Sequence, residues 1–260
     1  MDLGIGGRRA LVAASSQGLG LACATSLARE GVSVTLNGRD ASRLQTAADA
    51  VVASVPHASV GWVVGDLTTA SGRAAILAAV PDTDILVTNN AGPHPGGYEE
   101  WDEDALLGAA GAQLVPAVEL IRAYLPGMRE RRWGRIVNIT SAMVMSPAAD
   151  MGLSASARAA LTAAAKAISK EVVADGVTVN NLLPEKIDTP RIAFMAQRRA
   201  RHDGITVDEA YERIAATVAA GRLGTPEEFG DACAYLCSAQ AGYISGQNLR
   251  LDGGSYEGLI

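Results

Sequence analysis

Short runs rich in Val, Ile and Leu alternate along the chain with longer stretches whose apolar positions recur every three to four residues. The first kind predicts strands and the second predicts helices. Strands are predicted over Arg9–Ala13, Val32–Leu36, Val60–Val64, Asp84–Thr88, Arg135–Ile139, Val177–Leu182 and Asn248–Leu251. Helices are predicted over Gly18–Glu30, Ala41–Val55, Ala70–Val80, Ser154–Ala174 and Pro226–Ser238, with one long helical region, Glu103–Arg131, that contains Pro116. The strands are near-continuous apolar runs, as expected where helices cover both faces of a parallel sheet. Repeated strand–helix units with right-handed crossovers predict an α/β protein with a doubly wound parallel sheet of about seven strands and helices on both faces. No linker or internal repeat breaks the pattern, so one domain over residues 1–260 is expected. The charged stretch Thr189–Leu223 interrupts the alternation. Residues 189–223 are expected to form an inserted lid over a ligand site.

Composition narrows the picture. The chain has 260 residues, 48% of them hydrophobic, enough to build a core without disulfides or a structural metal. Its cysteines, Cys23, Cys233 and Cys237, are odd in number and form no framework. Cys233 and Cys237 lie one helical turn apart and read as buried thiols rather than a redox or metal pair. His57, His94 and His202 are far apart, and no metal is expected. The net charge is −6. Basic residues cluster only at Arg129–Arg132 and Arg198–Arg201, which read as solvated helix faces, so no nucleic-acid partner is expected. Met1–Arg9 lacks the apolar core of a signal peptide, and no uninterrupted apolar run reaches the roughly 18–20 residues of a membrane span. A soluble cytoplasmic protein with no membrane partner is expected.

The candidate chemistry lies where predicted strands end. The first strand runs into Ser15-Ser16-Gln17-Gly18-Leu19-Gly20. Glycines and small residues at a strand-to-helix turn let a phosphate approach backbone N–H groups at the helix start. The alternative is a tight corner with no ligand. The second strand is followed by Gly38 and Arg39, where dinucleotide folds carry a carboxylate for the ribose 2′-hydroxyl. A guanidinium there can pair with a 2′-phosphate instead, which favours NADP(H) over NAD(H). The alternative is a solvated loop charge. Asn89-Asn90-Ala91-Gly92 forms a small polar turn at a strand's carboxyl end, and Asp66 serves either a ligand or the N-cap of the next helix.

Several segments together resemble the short-chain dehydrogenase/reductase family over nearly the whole chain. Its TGxxxGxG motif stands here as Ala13, Ala14, Gly18 and Gly20, with alanines for its threonine and first glycine. Gly65-Asp66-Leu67 resembles the adenine-contacting segment, and Asn89–Gly92 matches NNAG. Arg135–Ser141 matches the strand leading to the catalytic serine. Leu183–Pro190 resembles the PGxxxT segment, with Glu185 in place of its glycine, and Tyr243–Gly254 matches the C-terminal signature. The resemblance implies a single-domain Rossmann fold. It implies cofactor contacts from Ser15, Ser16, Gln17, Gly18, Leu19, Gly20, Arg39, Asp66, Leu67, Asn90, Ala91, Gly92, Arg158, Pro184, Ile187 and Thr189.

The family's catalytic set is Asn, Ser, Tyr and Lys, with YxxxK about a dozen residues beyond the serine. Thirteen residues beyond Ser141 stands Ser154, and four further stands Arg158. Gln113 takes the asparagine position. The chain thus resembles 3-oxoacyl-carrier-protein reductase-like members with an SxxxR variant. Serine is a much weaker acid than a phenol, and arginine stays protonated, so this pair cannot relay a proton as tyrosine and lysine do. In one reading, the protein is an NADPH-dependent reductase of a ketone or other carbonyl. Ser141 and Ser154 then donate to the carbonyl, Arg158 holds the ribose and favours the oxyanion, and a water held by Gln113 supplies the proton. In the other, it is a catalytically impaired NADP-binding regulatory or binding protein; in either reading Ser154 can also serve as the N-cap of the alanine-rich helix. His94, Met143, Met145 and Glu185 are candidate substrate contacts. Family members are commonly tetramers, which implies a homo-oligomer, tetramer or dimer.

Overall fold

The structure, a computed structural model, describes residues 2–259. Its centre is a parallel sheet of seven strands in the order β3-β2-β1-β4-β5-β6-β7. These are β1 (Arg9–Val12), β2 (Ser33–Gly38), β3 (Val60–Val64), β4 (Ile85–Thr88), β5 (Gly134–Ile139), β6 (Val177–Pro184) and β7 (Asn248–Leu251). The helices are α1 (Gly18–Arg29), α2 (Ala41–Ser54), α3 (Ala70–Ala79), α4 (Glu103–Gln113), α5 (Val115–Glu130), α6 (Gly152–Val172), α7 (Pro190–Asp203), α8 (Val207–Ala215) and α9 (Pro226–Cys237).

Side chains on each strand alternate between two cores. Ala10, Val12, Ile85, Val87, Val137 and Ile139 pack on one face, with residues of α1, α2 and α9. Leu11, Leu86 and Ile136 pack on the other, with residues of α3, α5 and α6. Burial on both faces explains why the central strands read as near-continuous apolar runs. The strand order reverses between β1 and β4, and the carboxyl ends of these two strands open the crevice in which such sheets bind ligands.

A polar ladder crosses half of this sheet. Thr88 Oγ1 donates to Asn138 Oδ1 at 2.7 Å. Asn138 Nδ2 donates to Asn181 Oδ1 at 3.0 Å, and Asn181 Nδ2 to Asn248 Oδ1 at 2.8 Å. The ladder ties β4, β5, β6 and β7 side chain to side chain.

The long region expected as one helix is two. Leu114 separates α4 from α5, and Pro116 stands in the first turn of α5. Proline has no N–H to give to the carbonyl four residues back, that of Ala112. Asn90 Nδ2 takes that carbonyl at 2.8 Å and pins the turn after β4 to the end of α4. By length and composition Glu103–Glu130 is apolar enough to cross a membrane, although the sequence holds no unbroken apolar run of that length. Only 33% of its most apolar window is buried. The inner face of α5, with Leu120, Ile121, Tyr124 and Met128, lies in the core against the sheet.

The helices α1 and α9 meet at a glycine. A Cβ on Gly230 would stand 2.5 Å from the Ala22 carbonyl oxygen and 2.6 Å from Ser26 Oγ. Beside this contact Cys23, Cys233 and Cys237 are fully buried, as the helical spacing of the last two suggests. The Cys23 thiol and burial push the Cys233 thiol well above its ordinary range, so it stays protonated and inert. The Arg129–Arg132 cluster is ion-paired rather than merely solvated: Arg129 meets Asp175 at 2.7 Å and Arg131 meets Asp82 at 2.8 Å. The helices of the expected insertion, α7 and α8, pack on each other through a separate small core of Ala196, Ala200, Ala210 and Ile214.

Gly230→Ala should force α1 and α9 apart and lower stability by about 1–3 kcal/mol. Urea unfolding checks this, and an unchanged midpoint would contradict the close packing.

Candidate active site

Most of the sequence-predicted residues gather at the carboxyl edge of the sheet because they follow its strands, while Gln113 lies on α4 and Ser154 and Arg158 on α6. Ser15–Gly20 joins β1 to α1, and Arg39 follows β2. Asp66 and Leu67 follow β3, Asn90–Gly92 and His94 follow β4, and Ser141, Met143 and Met145 follow β5. Glu185, Ile187 and Thr189 follow Pro184 at the end of β6.

The first turn is framed from within. Ser15 is buried, its N–H donates to the Asn37 carbonyl, and its hydroxyl donates to the Val12 carbonyl and accepts from the Asn37 N–H. Ser15 is therefore part of the frame, with both groups engaged inside the protein. Asn37 Oδ1 accepts from the Ala14 N–H at 3.3 Å, and Asn89 Nδ2 donates to the Ala14 carbonyl at 3.2 Å. These bonds hold Ala14 at φ +45, where the resemblance expects glycine. Gly18 has φ +61, a conformation open to glycine. A Cβ on Gly20 would lie 2.7 Å from the Ala14 carbonyl oxygen, so Gly20 lets α1 start close against the turn.

Helix α1 begins without a side-chain cap, since Gln17 at the N-cap makes no such bond. By contrast α2, α3 and α9 start on Asp40, Thr69 and Thr225 side chains that accept from their first turns. The uncapped N–H groups of α1 present a partial positive charge to the crevice. Gln17 Oε1 instead accepts from Arg43 Nη2 at 2.7 Å. Arg39 is exposed and has no ion-pair partner among the described residues. A Cβ on Gly38 would press on Leu44 at 3.3 Å, which leaves no easy room for a carboxylate there. Asp66 does not cap α3: Thr69 does, while Asp66 Oδ1 accepts from the Thr68 N–H and hydroxyl. Those bonds, with Arg39 nearby, hold the Asp66 carboxyl below its usual range.

Gln113, Ser154 and Arg158 do come together, but they face one another. Helix α6 starts at Gly152 with Met151 at its N-cap, so Ser154 is not the cap. Ser154 is buried, and its Oγ lies 3.2 Å from the Gln113 amide. A guanidinium offers only donors, so the amide must turn its oxygen to Arg158. In that orientation Gln113 Oε1 accepts from Arg158 Nε at 2.9 Å and Nη2 at 3.0 Å. Arg158 Nη1 also donates to the Ile139 and Thr140 carbonyls at 2.8 and 2.9 Å, and Nη2 to the Asn90 carbonyl at 3.3 Å. All five guanidinium N–H groups thus have acceptors within the chain. None remains for a ribose or an oxyanion, which is where the sequence reading expects this side chain to reach. Burial, with Arg191 nearby, pulls the Arg158 pKa down to about 10, still cationic at neutral pH.

Ser141 stands apart from this cluster. It is half-buried, and its Oγ accepts from the Met143 N–H at 3.2 Å, which leaves its proton available. Met143 and Met145 are half-buried beside it, and His94 is exposed. A cavity of about 10 Å³, room for roughly one water, lies among Asn89, Asn90, Gln113 and Arg158.

Sequence reasoning missed Asn37 and Arg43, and it singled out the Asn89–Gly92 turn without the part Asn89 plays in holding Ala14. Arg43 follows Arg39 by one helical turn, a spacing visible in the sequence. The frame role of Asn37 has no local signal, because its partners lie on two other strand ends, Ala14 and Ser15 after β1 and Val63 and Gly65 at the end of β3.

An uncapped helix start at a strand-order switch, beside a glycine turn and an unpaired arginine, defines a dinucleotide-binding α/β protein. The chain belongs to the short-chain dehydrogenase/reductase family: a family model described as enoyl-(acyl carrier protein) reductase matches residues 13–256. It is 30% identical to the NADPH-dependent reductase BacG of Bacillus subtilis, over 97% of this chain and 99% of that protein. It is 32% identical to the 3-oxoacyl-[acyl-carrier-protein] reductase FabG of Vibrio cholerae, over 96% and 98%. Among solved structures, L-sorbose reductase from Gluconobacter frateurii, complexed with NADPH and L-sorbose, superposes with a TM-score of 0.94 at 29% identity and covers 100% of both chains.

Arg158→Met should strand the carbonyls of Asn90, Ile139 and Thr140 and lower stability by about 3–5 kcal/mol. Arg158→Lys, with three donors for five places, should lose about 1–3 kcal/mol. Chemical unfolding of both variants checks this, and a loss in Arg158→Met no larger than in a surface control would overturn the assignment.

Proposed function

We propose that this chain is an NADP(H)-dependent oxidoreductase that reduces a ketone or related carbonyl to an alcohol. The observation that carries the reading is the uncapped start of α1 with Arg39 unpaired beyond it. The first suits a pyrophosphate and the second a 2′-phosphate, and Gly38 leaves a 2′-phosphate unopposed by a carboxylate. The named NADPH-dependent relatives support it further. Ser16, Gln17, Gly18, Leu19 and Gly20 would hold the pyrophosphate, Arg39 with Arg43 the 2′-phosphate, and Asp66 and Leu67 the adenine. Asn90, Ala91, Gly92, Pro184, Ile187 and Thr189 would line the nicotinamide end.

When bound, the reduced cofactor supplies a hydride to the carbonyl carbon. Ser141 donates its free proton in a hydrogen bond to the carbonyl oxygen and stabilises the charge that gathers there. Met143 and Met145 offer an adaptable apolar wall beside it. Gln113 and Arg158 hold the ends of β4 and β5 in place, so that Ser141 keeps its position. Residues 189–223, with their own small core, serve as the lid that excludes water.

The closed Gln113–Ser154–Arg158 cluster favours a second reading, an NADP-binding protein without turnover. Absorbance of NADPH with a ketone panel that includes ethyl acetoacetate and L-sorbose separates the two. Oxidation of NADPH supports the reductase, whereas binding without oxidation supports the second reading. In Arg39→Ala the preference for NADPH over NADH should fall about 10–100-fold, the worth of a charge-assisted phosphate contact.

Assembly as a homo-oligomer fits the outer faces of α4 and α6. Leu106 and Leu107 are exposed on α4, and Gly108 and Gly111 have open space where a Cβ would stand. Ser156, Ala160, Ala163 and Ala167 form an exposed stripe of small residues on α6. A second copy of this chain would cover this surface, and the reading places the protein in the cytoplasm. Leu107→Glu should shift the protein toward a smaller species in size-exclusion chromatography with light scattering. An unchanged mass would contradict an interface there.

A further inference from the structure

Carbonyl reduction needs a group that hands a proton to the oxygen, and the α6 positions do not offer one. Ser154 Oγ is bonded to Gln113, and a Cβ on Gly92 would stand only 3.0 Å from it, so the turn after β4 closes over it. Arg158 has every N–H engaged. Ser141 can orient the oxygen, but its hydroxyl is a far weaker acid than an ammonium.

The segment after β6 holds a different donor. Ile139 is level with Leu182 in the sheet, which brings Ser141 level with Pro184. At the far end of the same segment, Thr189 Cβ lies 4.0 Å from where a Cβ on Gly18 would stand. Lys186 therefore sits on a span that crosses the crevice from Ser141 to the glycine turn. Its side chain is 23% exposed and its ammonium donates no hydrogen bond to any described residue. The nearest carboxylate oxygen, Glu185 Oε1, is 3.8 Å away and 22% exposed as a side chain. Its backbone has φ +54, a left-handed conformation that a lysine rarely adopts. The Lys186 carbonyl accepts from the Gly224 N–H at 3.1 Å, and the Asp188 N–H donates to the Gly224 carbonyl at 2.8 Å, which holds it there. Where the backbone alone mattered, glycine would fill this place without strain. A strained residue on a segment that crosses the crevice, with a charged side chain that makes one long ion pair and no hydrogen bond, points to use of that side chain.

We infer that Lys186 is the proton donor of the reaction, in place of the tyrosine and lysine absent from α6. The inference rests on the reductase reading. As the carbon gains its hydrogen and electron pair, the C=O double bond becomes a single bond. One Nζ–H bond breaks, and its proton forms the O–H bond of the alcohol. The neutral amine left behind takes a proton from water. Ser141 orients the oxygen, and the Glu185 carboxylate steadies the ammonium between turnovers.

Lys186→Gly suits the left-handed backbone and keeps the fold. With NADPH and whichever of ethyl acetoacetate or L-sorbose the wild type turns over, this variant should lose about 100-fold or more in kcat, the usual worth of a general acid. Its Kd for NADPH, read from nicotinamide fluorescence, should stay within about threefold of wild type, well under one decade of affinity. Added methylamine should restore turnover in Lys186→Gly and leave the wild type unchanged. Lys186→Arg should bind NADPH equally well and stay inactive, because a guanidinium does not release its proton. In the wild type, acetylation of Lys186 by acetic anhydride, read by mass spectrometry, should slow when NADP⁺ and the product alcohol are bound. Full activity in Lys186→Gly, a loss that methylamine leaves unrestored, or acetylation indifferent to the product would each overturn the assignment. A wild type that binds NADPH and turns over no ketone would defeat the reductase reading itself and this inference with it.

Discussion

Arg158 reaches from α6 to the carbonyls of Asn90, Ile139 and Thr140, and the carboxyl edge of the sheet is built around the need to satisfy those groups. A buried carbonyl without a donor is costly, and a buried guanidinium without acceptors more so. Each solves the other's problem here, with the Gln113 amide taking the remaining N–H groups. Ser154 and Arg158 turn inward and brace the crevice.

The same logic runs outward through α4 and α5. Pro116 frees the Ala112 carbonyl, Asn90 takes it, and the turn after β4 is fixed to the helix that carries Gln113. A proline, two amides and a guanidinium thus form one connected frame beneath the proposed nicotinamide end. The glycine turn joins it through Asn89, which holds Ala14. This frame is distinct from α7 and α8, which pack on each other through a small core of their own.

Hydrophobic runs made the central strands legible, because burial on both faces leaves them mostly apolar, whereas β3 and β7 lie at the sheet edges and are largely exposed. The helices given bounds in the sequence were legible to within a residue or two, except where Pro116 divides the long one, whereas α7 and α8 were read only as a charged insertion. Ser154 and Arg158 were readable by spacing from Ser141, and Ser141 and Gln113 by the resemblance of the segments that carry them. The direction in which they point was not, since it depends on carbonyls contributed by other strands. The same holds for Ser15, which reads as a phosphate contact in sequence and turns out to brace the loop from inside. The left-handed backbone of Lys186 was hidden for another reason: glycine announces such a conformation, and lysine conceals it.

The ladder from Thr88 through Asn138 and Asn181 to Asn248 bears on how such a protein can change over generations. A slip of one residue in any of these strands would turn its polar member to the opposite face and strand its neighbours. The relative heights of four strand ends are therefore locked independently of the loops that follow them. Those loops can be lengthened, shortened or exchanged one at a time while the floor beneath them holds still. The ladder in this way makes the crevice modular, with new specificities open to trial in one loop without disturbing the others.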